Sequence, residues 1–344
     1  MPSSSPTTTC PREDVLVAYQ LGTLDEAERE ATRAHLEGCA ACRAAAGAVG
    51  EATQTLGPVS GGATVSPGQR VGRFVLMERL GAGAMGTVYA AYDSELDRRV
   101  ALKFLKLRGG TSWNAARRDA MTREARALAR VAHPNVLAVF DVGMHDAQPF
   151  LATEFVDGGN LRQALAARPR TSDEVLRILV DAGEGLHAAH LAGLVHRDFK
   201  PENVMLGRDG RPRVADFGLA GELGPATESA EPRAEAFEPG ALATLVEQRG
   251  RVGTPAYMAP EVARGERATA LSDQFSFCVA AVEALGGKRP FPDALTAERA
   301  AAIERGPGEL EALPRRVRAA LGRGLAARPE ARFASMGELL ERLR

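Results

Sequence analysis

The chain has 344 residues, of which 45% are hydrophobic and 25% charged, with a formal net charge of −1. That leaves room for two or three domains with a large buried core, and it gives no global field to draw the chain to nucleic acid or an anionic membrane. The opening M-P-S-S-S-P-T-T-T lacks the basic and apolar regions of a signal peptide, and no run reaches the roughly 18 apolar residues of a membrane span. A cytoplasmic location, with no nucleic-acid partner, is therefore expected.

Three of the four cysteines (Cys10, Cys39, Cys42) fall in the first 42 residues. In a cytoplasmic chain such clustering favours metal or redox chemistry over a structural disulfide. Thr23 and Glu26 fit a capping box that opens a helix carrying Leu24, Ala27, Ala31 and Ala34, and Gly38 can stop it. His35 lies near its end, and C-A-A-C follows at 39–42. His35, Cys39 and Cys42, with Cys10 brought back from upstream, offer four ligands suited to tetrahedral Zn²⁺. A Cys39–Cys42 redox pair and plain core packing are the competing readings. The His-x3-Cys-x2-Cys run, with A-Y-x-L-G-x-L-D-x-x-E-R before it, resembles the zinc-binding anti-sigma-factor domain over about residues 10–46. That resemblance implies a regulatory, protein-binding module with Cys10 as the further ligand, and a partner such as a sigma factor or another regulator. We bound this module at residues 1–50.

Residues 51–70 are rich in Gly, Ser, Thr and Pro and read as a flexible linker. From residue 71 the periodicity becomes strand-like. It leads into G-A-G-A-M-G-T-V-Y at 81–89, where Gly81, Gly83 and Gly86 let backbone N–H groups approach phosphates. Dinucleotide-binding folds share this spacing but continue into a helix, whereas T-V-Y-A-A-Y at 87–92 continues as a strand. R-V-A-L-K-F-L at 99–105 is the next strand, and Lys103 within it reads as the lysine that meets the α- and β-phosphates. Residues 121–131 are helical, and Glu124 is the carboxylate expected to pair with Lys103. H-P-N-V at 133–136 starts another strand. The strand at 150–156 runs into a connector whose backbone from Glu154 to Val156 would read adenine. Thr171 and Glu174 form a further capping box, on a helix ending near Gly193.

The stretch V-H-R-D-F-K-P-E-N-V-M-L at 195–206 then places an acid, a lysine and an amide within six residues, and D-F-G follows at 216–218. Phosphoryl transfer from a nucleotide needs that set. Asp198 orients the acceptor hydroxyl or takes its proton, and Lys200 stabilises the moving phosphoryl group. Asn203 and Asp216 are metal ligands. A short turn at 208–210 and a strand at 212–215 would bring the second acid back beside the first. Asp273 is expected to open a helix that is apolar on every side, with Cys278 as a small buried hydrophobe.

With V-A-L-K, H-R-D-F-K-P-E-N, D-F-G, M-A-P-E at 258–261, S-D-Q-F-S-F at 272–277 and Arg332 in R-P-E-A-R-F, residues 72–344 resemble a bacterial eukaryotic-type protein kinase. The resemblance implies an α+β, two-lobed fold, with an N-lobe at about 71–155 and a C-lobe at about 156–344. It implies ATP with Mg²⁺ (or Mn²⁺) between the lobes, enclosed by Gly81, Ala82, Gly83, Ala84, Met85, Gly86, Val88, Ala101, Lys103, Thr153, Glu154, Val156 and Leu206. It also implies a Glu261–Arg332 ion pair, Thr254 hydrogen-bonding near Asp198 and Lys200, and Asp273 as a structural residue. Lys200 and G-T-P at 253–255 are the Ser/Thr-specific forms, so protein Ser/Thr hydroxyls are the expected acceptors. A transient homodimer for autophosphorylation is expected as well. A nucleotide-binding pseudokinase, acting mainly through the anti-sigma-like module, is the alternative. The segment between Asp216 and Glu261 is longer than in the family and acidic, and Thr244 is its expected activating phosphosite.

Overall fold

The structure is a computed structural model that describes residues 26–39, 42, 66–83, 86–106, 115–146, 148–217, 255–293, 297–308 and 310–344. Cys10, Thr23, Ala84, Met85, Thr244, Thr254 and most of the linker and the acidic segment lie outside the described residues. The chain divides into two units, Met1–Gly62 and Ala63–Arg344.

In the first unit, helix α1 (Glu26–Gly38) ends at the expected glycine and carries His35 in its last turn. The Cys39 N–H donates to the His35 carbonyl at 3.0 Å, extending the helical bonding towards the C-A-A-C run.

The second unit begins with a six-stranded antiparallel sheet in the order β1-β2-β3-β4-β6-β5. Its strands are β1 (Arg70–Val71), β2 (Phe74–Gly83), β3 (Gly86–Asp93), β4 (Arg98–Leu105), β5 (Val139–His145) and β6 (Gln148–Glu154). Phe74, Phe104 and Phe150 meet on one face of the sheet, with ring centroids 6.0 Å apart in two of the pairs. Helix α2 (Ala115–Ala129) packs Met121, Ala125 and Leu128 inward and begins six residues before the helical run at 121–131. The next strand starts at Val139 rather than within H-P-N-V, because the backbone of 135–137 bonds to Val214 instead. Gly86 has φ 147°, and a Cβ there would lie 1.9 Å from the Phe104 carbonyl oxygen of the paired strand. Only glycine allows β3 to run that close to β4.

The remainder is mainly helical. Helix α3 is Leu161–Ala167, and α4 is Ser172–Leu191. The Thr171/Glu174 capping box opens α4 as expected. A hairpin of β7 (Val204–Leu206) and β8 (Pro212–Val214) follows. Beyond it come α5 (Pro260–Ala263), α6 (Ala270–Gly286), α7 (Ala297–Arg305), α8 (Arg315–Gly324) and α9 (Met336–Leu343). Helix α6 is buried continuously from Ser272 to Val282, which accounts for its all-round apolar sequence. It opens earlier than expected: Thr269 caps it with Ser272, and Asp273 sits in the first turn. Cys278 is fully buried against Gly324 of α8, and burial pushes its thiol pKa well up, so it packs as a small hydrophobe. Among the described residues no helix is long and apolar enough to cross a membrane.

Candidate active site

The catalytic loop is fixed from beneath by α6. Asp273 accepts the backbone N–H of His196 at 2.6 Å and that of Arg197 at 2.8 Å, and His190 Nε2 lies 2.9 Å from the same carboxylate. His196 is fully buried between the loop and the strand that follows it. Its Nε2 is 2.9 Å from the Ala215 carbonyl, which can only accept, and its Nδ1 takes the Asp198 N–H at 3.3 Å. The ring is therefore the neutral Nε2–H form. Burial lowers its pKa, and the nearby charges of Asp273, Asp198 and Asp216 do not reverse that. Arg197 and Asp216 both adopt positive φ (69° and 59°), an unfavourable conformation for non-glycine residues, held here by this bonding.

These anchors bring the expected catalytic residues together. Lys200 Nζ donates to Asp198 Oδ2 at 2.7 Å. Asn203 Nδ2 donates to the Asp198 carbonyl at 2.8 Å, and the Ala215 N–H returns to the Asn203 carbonyl at 2.8 Å. The β7–β8 hairpin thus ties Ala215, the residue before Asp216, to Asn203.

One expected pairing is corrected. Lys103, on β4 between Val88 and Leu151, meets Asp216 Oδ1 at 2.7 Å. Glu124 on α2 meets Arg197 Nη1 instead, at 3.3 Å. With Glu124 committed to the catalytic-loop arginine, the nearest carboxylate for Lys103 is the one carried in by the hairpin. Burial alone would raise the Asp216 pKa, but the Lys103 charge and hydrogen bond, aided by the Lys200 charge, hold it below the ordinary value.

Above the loop lies a cavity of about 490 Å³, a size suited to a small-molecule ligand. Of the residues expected to enclose a nucleotide, Gly81, Val88, Ala101, Lys103, Thr153, Glu154 and Val156 line it, and so does Asp216, expected as a metal ligand. Ala82, Gly83, Gly86 and Leu206 do not. Leu206 is 5% exposed and packs into the helical core, while Met205 faces the cavity; alternation along β7 decides between them. Leu80, Val139, Leu151, Met205 and Val214 are among the other residues of the apolar walls. Strand phase is the only sequence signal that could have found them. The Glu154 N–H already donates to Ala138 at 2.9 Å, so this residue offers its carbonyl, whereas the Val156 N–H makes no backbone hydrogen bond among the described residues.

Apart from the loop, the expected brace is present. Arg332 binds Glu261 through both terminal nitrogens, at 2.6 and 2.8 Å, with both side chains buried.

In the first unit the ligating atoms of His35, Cys39 and Cys42 lie within 4.8 Å of one another. His35 Nε2 is buried with no hydrogen-bond partner.

Known proteins resemble both units. The protein kinase domain family matches residues 74–319, and a zinc-finger family matches residues 13–43. The chain is 37% identical over 223 residues to serine/threonine-protein kinase PknL of Mycobacterium tuberculosis, covering 64% of this chain and 50% of that protein. It is 35% identical over 278 residues to serine/threonine-protein kinase Pkn1 of Myxococcus xanthus, covering 78% and 37%. The chain thus spans half or less of the length of these relatives. Among solved structures, the kinase domain of PknI from M. tuberculosis aligns with a TM-score of 0.62 at 28% identity, over 81% of this chain and 98% of that one. With the kinase match covering well over half of its length, the chain belongs to the protein kinase domain family, preceded by a zinc-finger module.

Proposed function

We propose that this chain is an ATP-dependent protein serine/threonine kinase, regulated through its N-terminal module. The observation that carries the reading is the convergence of Asp198, Lys200, Asn203 and Asp216 at one end of an apolar cavity, with Lys103 reaching in from the sheet above. The cavity volume suits a nucleoside triphosphate. Its apolar walls suit a base, and the Glu154 carbonyl and Val156 N–H supply a polar edge for that base to read. Asp216 and Asn203 offer the oxygen donors that Mg²⁺ prefers. Bound there, the metal would neutralise charge on the phosphates.

The roles follow from what each side chain holds. Asp198 is the group that orients the acceptor hydroxyl and takes its proton. Lys200, already on Asp198, is placed to stabilise the transferring phosphoryl group. Lys103 would bind phosphate oxygens, and Asp216, its present partner at 2.7 Å, would hold the metal. Gly81 presents backbone at the cavity mouth. Thr254 serves to hydrogen-bond near Asp198 and Lys200, and Thr244 serves as the activating phosphosite. Lys200 and the G-T-P run favour Ser/Thr acceptors on protein substrates.

His35, Cys39 and Cys42, with Cys10, would hold zinc in the module at residues 1–50. The orphaned His35 Nε2 and the close thiols fit that metal. Such a module serves to recruit a regulatory protein, sigma-factor-like or other, while autophosphorylation calls for a transient homodimer. A reduced thiolate set and ATP as donor suit the cytoplasm.

Native mass spectrometry before and after Mg²⁺-ATP, with Asp198→Asn alongside, tests the reading. Stepwise phosphate additions in the wild type alone are expected. No addition to the wild type or to a generic Ser/Thr substrate would overturn it.

A further inference from the structure

Arg213 sits on β8, three residues before Asp216, where an arginine would ordinarily be a surface residue. Here its side chain is only 12% exposed. Its Nε meets Glu154 Oε1 at 2.8 Å. Its Nη2 and Nη1 meet the two Asp209 oxygens at 3.0 and 3.3 Å. One guanidinium therefore ties the connector at Glu154 to the turn of the β7–β8 hairpin, using the fork geometry that a lysine lacks.

The strand that carries Arg213 is itself immobilised. The Val214 N–H donates to the Asn135 carbonyl at 2.8 Å, and the Leu137 N–H donates to Val214 at 2.9 Å. Asn135 Nδ2 reaches the Pro212 carbonyl at 2.8 Å. Val214 and Glu154 both line the cavity, so Arg213 spans two of its walls from behind. Asp209 is pulled down to about 2 by its bonds to Arg213 and to the Arg211 N–H, so it stays charged at any working pH. Two other arginines reach the same connector: Arg99 lies 4.1 Å over the Phe155 ring, and Arg208 pairs with Asp157 at 2.9 Å. The Arg208 pair is largely exposed and contributes little. Arg213 is the shielded one.

We propose that Arg213 is a positioning residue for the nucleotide: by bridging Glu154 to Asp209 it fixes the polar edge of the connector against which the base lies. The role rests on the kinase reading above. It concerns affinity for the nucleotide and not the transfer step, because Arg213 touches neither Asp198 nor Asp216 among the described contacts.

The test is calorimetric titration of the full chain with Mg²⁺-ADP, paired with steady-state kinetics. Losing a charged hydrogen-bonded pair behind a binding edge should weaken Arg213→Gln for ADP about five- to tenfold. The KM for ATP should rise in step, with kcat within about twofold of wild type. Arg213→Lys should recover part of the loss, Glu154→Gln should match it, and the double variant should add nothing. Arg168→Gln, which breaks a remote exposed pair with Glu174, is the control. Arg213→Gln binding ADP within about twofold of wild type would overturn the proposal, as would a fall in kcat at unchanged KM. If Arg213→Gln does not fold, Asp209→Asn unhooks the same guanidinium from an exposed turn. A two- to threefold loss is then expected, and unchanged binding refutes the role. A wild type that binds no ADP would sink the kinase reading itself, an outcome distinct from the others.

Discussion

Lys103 lies 2.7 Å from Asp216, and Glu124 lies 3.3 Å from Arg197, so two cations and two carboxylates pair across rather than as the motifs suggest. In this arrangement the lysine that should meet phosphates neutralises the acid that should meet metal. On the kinase reading proposed above, the pair would have to part, Lys103 going to phosphate oxygens and Asp216 to the metal.

From this we predict that Lys103→Met leaves a carboxylate without its cation and removes a phosphate contact. Transfer to a generic Ser/Thr substrate should fall by about 10²–10³, while the circular dichroism spectrum stays that of the wild type. Radiolabel transfer checks it, and activity within about tenfold of wild type would show that Lys103 does not serve the phosphates.

Most of this site was legible because its chemistry is compressed into short runs. Asp198, Lys200 and Asn203 lie within six residues, and one loop anchored by Asp273 brings them together. What was not legible depends on tertiary placement. The partner of Glu124 depends on where α2 packs against the sheet, which no local pattern encodes. Met205 and Leu206 are equally apolar, and only the phase of β7 sends one to the cavity and the other to the core. Arg213 is an arginine on a short strand until the connector folds back to meet it.

The Glu261–Arg332 pair yields a stability prediction. Both groups are 2% exposed, and Arg332 also donates to the Leu271 carbonyl at 2.8 Å and the Ala326 carbonyl at 2.9 Å. Removing one partner strands a buried charge, so Arg332→Met should cost roughly 3–5 kcal/mol in urea unfolding. Glu261→Leu with Arg332→Met should cost less than the sum of the single changes, since neither charge is then left alone. A strictly additive double variant would mean that the two residues act independently.

The α4 cap carries a pH signature. Glu174 accepts the Thr171 N–H at 2.9 Å and is 3.0 Å from Arg168, and these bonds lower its pKa from 4.5 to about 2. A depressed carboxylate pKa stabilises the fold above the unfolded value, and that share is lost as pH falls through the folded one. The Tm difference between wild type and Glu174→Gln should thus be full at neutral pH and shrink from pH 4.5 towards about 2. Thr171→Ala, which removes the reciprocal bond, should cost about 1 kcal/mol at neutral pH. A Tm difference that does not vary across that pH range would rule out the charge as the cap's contribution.

The thiols at the end of α1 decide between metal and redox chemistry. A redox pair needs only Cys39 and Cys42 and is indifferent to His35, whereas a metal site needs the imidazole as a ligand. The buried, partnerless Nε2 of His35 favours the metal, because an imidazole nitrogen left there without one would carry an uncompensated desolvation cost. Native mass spectrometry of the full chain should therefore detect about one zinc, released by a chelator. His35→Ala and Cys39→Ser should each lose it, whereas Cys278→Ser, deep in the helical core, should keep it. Kinase-domain unfolding should be unaffected by the first two changes if the module folds as its own unit. A zinc mass that survives His35→Ala would remove the histidine from the ligand set, and a chain with no zinc and a reducible Cys39–Cys42 bond would move the module to redox chemistry.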